Sequence, residues 1–333
     1  MLLYAIANHS SYLFNRAMGA SIGLDEPEPE NIIRRLSACS RDTARVLAAE
    51  HPWLANLLVP AVQYGNESDL YFDDPGLINV LLSERDAPAP VHAFIHETSD
   101  KQPLTKGFRD KMARLLPLCR RFGTRNITVH LPLDRADTTP ALLEDLCEPG
   151  FLDLVRKSRV SIDLENNWHA SWFGFADHMI DFFAALDKRL DAIGEGRMKD
   201  WFGMTFDSGH FFAQYCIAGR PLRPELDHLF VTLRNRIRTV HLHGNDGTGD
   251  QHKCFESPPV DPARASAFVS NQQALLACLR LLDLAGRARA GEWDIVIVSE
   301  IAVPFTMETY LTHSRLIFDA VKDRSFKTSN SCD

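Results

Sequence analysis

Eight short β-rich runs recur along the chain, and longer stretches with helical spacing separate most of them. The runs cover 2–8, 56–63, 91–97, 126–133, 159–166, 202–209, 237–244 and 293–300. The helical stretches cover 31–49, 106–121, 141–157, 173–190, 224–236, 265–285 and 307–321. Such alternation demands parallel strands joined by crossover helices. Eight units within 333 residues predict a single (β/α)8 TIM barrel. A doubly wound open sheet is the competing architecture. No Gly-rich phosphate loop follows the first run, which counts against its dinucleotide-binding form. Extended loops are expected after strands 2, 5 and 7. The first of these, 64–90, is rich in Asn, Asp and Pro and holds one apolar stretch, 77–82, read as a small helix. No repeat or linker divides the chain. Residues 1–323 are therefore read as one barrel domain and 324–333 as a polar tail.

Composition narrows the function classes. The net charge of -8 argues against a chain that holds a nucleic-acid backbone by general electrostatics, so nucleic acid is not the expected partner. The seven cysteines are scattered without a CxxC pair, as expected for reduced thiols in a cytoplasmic protein. The first residues lack a basic region, and no run reaches about 18 apolar residues, so neither a signal peptide nor a membrane span is expected.

Side chains alternate along a strand, so parity separates its two faces. In 159–166, Val160, Ile162 and Leu164 share one face, and Ser161, Asp163 and Glu165 share the other. In 237–244, Val240 and Leu242 oppose Thr239, His241 and His243. The apolar faces should meet the helices. Glu165 and His243 then point inward at the carboxyl end, where barrel enzymes place their chemistry. Asp207 ends the sixth run and Glu300 the eighth, at the same stage of their units. Carboxylates and an imidazole converging on one rim would repel one another as anions unless a cation sat among them. That donor mix suits Mn²⁺, Mg²⁺, Co²⁺, Fe²⁺ or Zn²⁺. His241, one layer deeper, is expected to be a hydrogen-bonded interior histidine. Trp168, Trp172 and Phe173, just beyond Glu165, are read first as anchors of the next helix, with a place in the site as the alternative.

The ordered motifs "DLEN", "FDSGH", "HLHGND" and "SE", at the ends of strands five to eight, resemble the xylose isomerase-like TIM barrels, a superfamily of sugar isomerases, ketose epimerases and endonuclease IV-type enzymes. The resemblance covers about 160–305. It implies that Glu165, Asp207, His243 and Glu300 are metal ligands. His243 is preferred to His241 because the group's histidine is followed three residues later by an acidic residue, here Asp246. His210 resembles a residue that contacts substrate in epimerases and binds a further zinc in the endonucleases. Asp250 and His252 resemble a D-x-H metal pair, and His96 and His130 occupy strand ends from which endonucleases also take ligands. Members of the group are often dimers or tetramers, and no interface signature stands out here.

The leading expectation from this resemblance is a divalent-metal-dependent isomerase or epimerase acting on a sugar or sugar-like polyol. Glu165 and Glu300 would move a proton beside a metal-polarised carbonyl, and His210 would bind a substrate hydroxyl. The alternative is an endonuclease IV-like multi-metal phosphodiesterase, which needs His96, His130, His210, Asp250 and His252 as well.

Overall fold

A computed structural model describes residues 2–8, 29–65, 74–97, 106–131, 139–168, 172–255, 261–279, 295–301 and 307–322. Eight parallel strands close into a barrel in chain order. They are β1 (Leu2–Asn8), β2 (Leu58–Gly65), β3 (His92–Glu97), β4 (Asn126–His130), β5 (Ser161–Glu165), β6 (Phe202–Asp207), β7 (Ile237–Leu242) and β8 (Ile295–Ser299). The described helices between and after them are α1 (Pro29–Glu50), α2 (Pro75–Arg85), α3 (Lys106–Phe122), α4 (Thr139–Leu146), α5 (Pro149–Ser158), α6 (Ala176–Ala192), α7 (Ser208–Ala218), α8 (Leu222–Leu233), α9 (Pro262–Leu279) and α10 (Met307–Lys322). β1 pairs with both β2 and β8, so the sheet has no free edge. The (β/α)8 barrel read from the cadence is the fold observed. The tail 324–333, and parts of the three extended loops at 66–73, 169–171 and 256–260, lie outside the described residues.

Two boundaries differ from the sequence reading. The stretch 141–157 divides into α4 and α5. Glu148 is extended (φ -65°, ψ 130°) and accepts a hydrogen bond from the Phe151 N–H at 2.8 Å, with Pro149 opening α5. The residue before a proline disfavours the helical region, so the chain must leave one helix and restart. The sixth run, read as 202–209, ends at Asp207, and α7 follows without a loop. Asp207 Oδ1 accepts from the His210 N–H at 2.7 Å, a carboxylate N-cap.

Parity sorts the two faces of the wall. Outward residues Ile127, Ile162, Leu164, Phe206 and Val240 join one large core with helix residues such as Phe182 and Phe230. The interior is split. Ala5, Ala61, Phe94, Val296 and Val298 form an apolar half. The other half is polar and layered. At its floor, Asn126 Nδ2 donates to Asp163 Oδ2 at 2.6 Å and to Thr239 Oγ1 at 2.8 Å. Arg238 lies 3.7 Å from the Asp163 carboxylate. A Cβ on Gly203 would sit 2.3 Å from Asp163 Oδ1, so this position must lack a side chain. One layer up, Thr128 and Thr205 share a hydrogen bond at 3.0 Å. The layer above them is the site.

Asp163 has no solvent exposure, and removing it would leave the Arg238 charge without its carboxylate in a buried setting. Asp163→Ala should lower unfolding free energy by about 3–5 kcal/mol in urea titrations, with divalent-ion content unchanged in the folded fraction.

Candidate metal centre

Glu165, with no solvent exposure, lies at the centre of the rim. It ends β5 in register with His130 on β4. Its Oε2 lies 2.6 Å from His96 Nε2 and 2.8 Å from His130 Nε2. Its Oε1 lies 2.8 Å from His241 Nδ1. On that side His241 Nδ1 also faces Glu300 Oε2 at 3.3 Å and Asp207 Oδ2 at 3.6 Å. Glu165, Asp207, His241 and Glu300 thus present one donor atom each within 4.8 Å of one another. His96, His130 and Glu165 form a second such group.

The imidazole in the group of four is His241, two residues before the one expected. The strand register explains the difference. Asp207 pairs with His241 across β6 and β7, so both side chains enter the barrel at one level. β7 ends at Leu242, and His243 lies one pleat further on, in the loop. It meets Asp207 Oδ1 at 3.3 Å and Asp250 Oδ1 at 3.6 Å, and its ring stacks on His252 with centroids 4.2 Å apart. His243, Asp250 and His252 form a third convergent group. His210 approaches it, with Nε2 at 3.4 Å from Asp250 Oδ2.

Asp246, whose spacing had pointed to His243, anchors the loop. Its carboxylate accepts from Thr248 N–H at 3.1 Å, Thr248 Oγ1 at 2.6 Å and Gln251 Nε2 at 2.7 Å, and Arg264 Nε donates to it at 2.8 Å. His313 ties the same loop at both ends. Its Nε2–H donates to the Leu242 carbonyl at 3.2 Å and its Nδ1 accepts from the Phe255 N–H at 3.3 Å. Trp172 stacks on His178 (5.0 Å, 9°) and Phe173 packs on Phe182, so both anchor the helix layer. Trp168 lies beside the loop, where a Cβ on Gly249 would be 3.7 Å from its ring.

The imidazoles are held in defined tautomers. His210 Nδ1–H donates to the Asn166 carbonyl at 2.9 Å, leaving Nε2 to face Asp250. His252 Nδ1–H donates to the Glu300 carbonyl at 2.9 Å, leaving Nε2 facing Asp250 at 2.9 Å. His241 Nε2 lies 2.9 Å from the side-chain amide of Gln63. The Gln63 atom at this distance is the amide nitrogen; a turned amide would instead bring its unpartnered oxygen to the ring, accept the Nε2–H and leave Nδ1 as the lone pair facing Glu165. Asn166 brackets Asp207 from both sides, donating to its carbonyl at 2.9 Å and accepting its N–H at 2.7 Å. Locked rings with one outward anchor and one inward lone pair are the arrangement metal-ligating histidines require.

Without a cation, the rim pairs its carboxylates with charged imidazoles. Burial alone would raise the Glu165 carboxyl, but His96, His241 and His130 outweigh it and hold the group well below the usual carboxylate range. For Asp207, burial is overcome by His210 and His243, again lowering the value. Burial opposes charging His252, yet Asp250 and Glu300 push its pKa up to about 9. Both Glu165 oxygens, Asp207 Oδ2, His96 Nε2, His241 Nδ1 and Asp250 Oδ1 are buried without a hydrogen bond of good geometry. Buried polar atoms are rarely left so. Here the atoms sit 2.6–3.6 Å from one another without pointing along hydrogen-bond lines, as donors around a shared cation do. The nitrogen and carboxylate set fits Zn²⁺, Mn²⁺, Fe²⁺ or Co²⁺.

The fold places the chain beside solved proteins of low sequence identity. It resembles a D-tagatose 3-epimerase-like protein (TM-score 0.55, 16% identity, covering 80% of this chain and 90% of that one). It resembles the IolI protein with a bound zinc atom (TM-score 0.57, 15% identity, covering 97% and 99%). It also resembles endonuclease IV from Thermus thermophilus (TM-score 0.50, 17% identity, covering 96% and 99%). These neighbours are xylose isomerase-like TIM barrel proteins, and this chain shares their fold. No family model and no curated protein matches it by sequence.

Gln63 and His313 carried no motif, and only their neighbours in the fold reveal them. Gln63→Leu removes the tautomer anchor of His241 and should weaken divalent-ion binding about ten- to a hundred-fold in chelator competition. Burial and the nearby His243 push the His313 imidazole down to about 3 from its usual 6.5. The unfolded chain therefore binds a proton first as pH falls, and His313 contributes a loss of stability from about pH 6.5 down to about 3. His313→Gln should flatten the stability–pH slope in that window relative to the wild-type chain.

Proposed function

We propose that this chain is a multi-metal hydrolase of small phosphate esters, phosphodiesters foremost. The observation that carries this reading is the position of Glu165. Its two oxygens face different imidazole sets, His96 and His130 on one side and His241 on the other. A carboxylate so placed could belong to two ion-holding groups at once. His96, His130 and Glu165 would hold one ion, and Glu165, Asp207, His241 and Glu300 another. Asp250 and His252 head a third group. Divalent ions held there would polarise a phosphoryl oxygen and an attacking water. The chain's own residues orient that chemistry. Gln63, Asn166 and the Glu300 carbonyl hold ligand rings and backbone in place, and the buried rim limits water.

The same geometry weighs against a Glu165–Glu300 proton shuttle. Three imidazole nitrogens lie within 2.8 Å of the Glu165 oxygens, so neither oxygen is left open toward a substrate C–H bond. The net charge of -8 favours a small ester over a long nucleic acid. A sugar or polyol isomerase is the second reading. The epimerase-like and IolI neighbours favour it.

Elemental analysis should find about two or three divalent ions per chain, and the loaded protein should cleave bis(p-nitrophenyl) phosphate, with activity lost to chelators. Glu165→Gln should reduce turnover about a thousand-fold, equal to about 4 kcal/mol of transition-state stabilisation, and release more than one ion. About one ion per chain, together with solvent exchange of substrate protons across a sugar panel, would instead establish the isomerase.

A further inference from the structure

We propose that a cationic cleft in the outer helix layer, at the end of the barrel opposite the metal centre, is a binding site for a small organic phosphate. The cleft has a volume of about 420 Å³ and lies between α2, α3 and α5. That size suits a small-molecule ligand. Two of its walls repeat one pattern. Pro117, Arg120 and Arg121 stand at i, i+3 and i+4 on α3, and Leu154 and Lys157 stand at i and i+3 on α5. Residues so spaced share a helix face. Each wall therefore offers an apolar residue one turn before a cation. Arg85, in the last turn of α2, adds a fourth cation. All four stand near the carboxyl ends of their helices, before β3, β4 and β5 begin, whereas Glu165 and Asp207 stand where strands end.

Cations in the last turn of a helix offset the partial negative charge of its free carbonyls, and part of this set serves that end. An Arg85 guanidinium N–H donates to the Arg121 carbonyl, and one from Arg120 donates to the Lys157 carbonyl at 3.4 Å. Carboxylates balance only two of the four charges. Asp86 pairs with Arg85 at 2.7 Å, and Asp153 pairs with Lys157 at 2.6 Å. Among the described residues, neither Arg120 nor Arg121 has an ion-pair partner. The cleft thus gathers an excess of two positive charges on a chain whose net charge is -8.

That charge and shape select the ligand class. Guanidinium groups hold phosphate oxygens through forked N–H pairs, so Arg120 and Arg121 suit a phosphate dianion. Leu154 packs against the core, which fixes the apolar wall beside them. An inorganic anion would leave Pro117 and Leu154 uncovered, and a neutral apolar ligand would leave both guanidinium groups unpaired. A phosphate carried on an apolar or aromatic body satisfies both parts. No residue of this cleft belongs to the metal centre, so the assignment does not rest on the hydrolase reading.

Phenylphosphonate, an aromatic ring bonded to a phosphate-like anion that hydrolysis does not remove, is the probe, titrated calorimetrically into the full-length, metal-loaded protein. It should bind more tightly than inorganic phosphate, and more weakly as ionic strength rises. Arg121→Glu alters an exposed side chain and should weaken binding about ten-fold or more. Leu154→Trp keeps all four cations but fills the cleft, and should weaken binding as much. Arg45→Glu makes the same charge change at an exposed position on α1 and should leave affinity unchanged. Circular dichroism identifies the variants that fold. Wild-type affinity in a folded Arg121→Glu or Leu154→Trp protein would overturn the assignment. So would an equal loss in Arg45→Glu, which would mean general electrostatics, or no binding by the wild-type chain. Binding lost in Glu165→Gln but kept in Arg121→Glu would place the probe at the metal centre and overturn it as well.

Discussion

A carboxylate with no exposure to water, hemmed in by three imidazole nitrogens at 2.6–2.8 Å, sets the terms for the whole carboxyl end of this barrel. Burying an ionised group is costly unless opposite charge and directed donors compensate it. The chain answers Glu165 with His96, His130 and His241, and answers Asp207 with His210 and His243. Each answer depends on a rigid neighbour. Strand register sets the level at which His130 and His241 enter. Asn166 grips the backbone of Asp207, and Asp207 in turn caps α7. The positions of Glu165, Asp207 and His241 are therefore properties of the closed sheet, and none can shift without disturbing a strand pair or a helix start.

The interior below it divides labour by side. The half lined by β1, β2, β3 and β8 is filled by Ala, Val and Phe, as a packed barrel interior ordinarily is. The half lined by β4 to β7 carries Asn126, Asp163, Thr239, Thr128 and Thr205 in hydrogen-bonded layers. Its uppermost layer supplies His130, Glu165, Asp207 and His241. Polar groups in such a place must satisfy one another or specify a ligand. The lower layers do the first, and the rim carries the groups whose donor atoms converge.

Much of this was legible in the residues. The alternation of β-rich and helical stretches sufficed for the fold, because only parallel strands with crossovers accommodate it. Two-residue parity placed Glu165 on the inner face, and position at the ends of their units added Asp207 and Glu300. Parity could not choose between His241 and His243, which share a face. The choice depends on where β7 stops pairing with its neighbours, a property of tertiary register. Spacing to Asp246 pointed to His243, and in the fold that carboxylate bonds Thr248, Gln251 and Arg264. α7 escaped notice because "DSGH" was read as the tail of a strand, although an aspartate followed by short polar residues is also a helix start. Gln63 and His313 act through partners 178 and 71 residues away, beyond any local pattern.

The loop after β7 is nearly self-sufficient. An antiparallel bridge joins Gly244 to Lys253, Asp246 knots its middle, and His313 clasps both of its ends to one helix. Asp250 and His252 ride on that frame. A segment closed on itself in this way is a natural unit of exchange between barrels of this shape. Moved as a cassette together with its clasp, it could carry two donor groups to a new host, so chemistry at such rims could diversify by recombination of whole segments rather than one residue at a time.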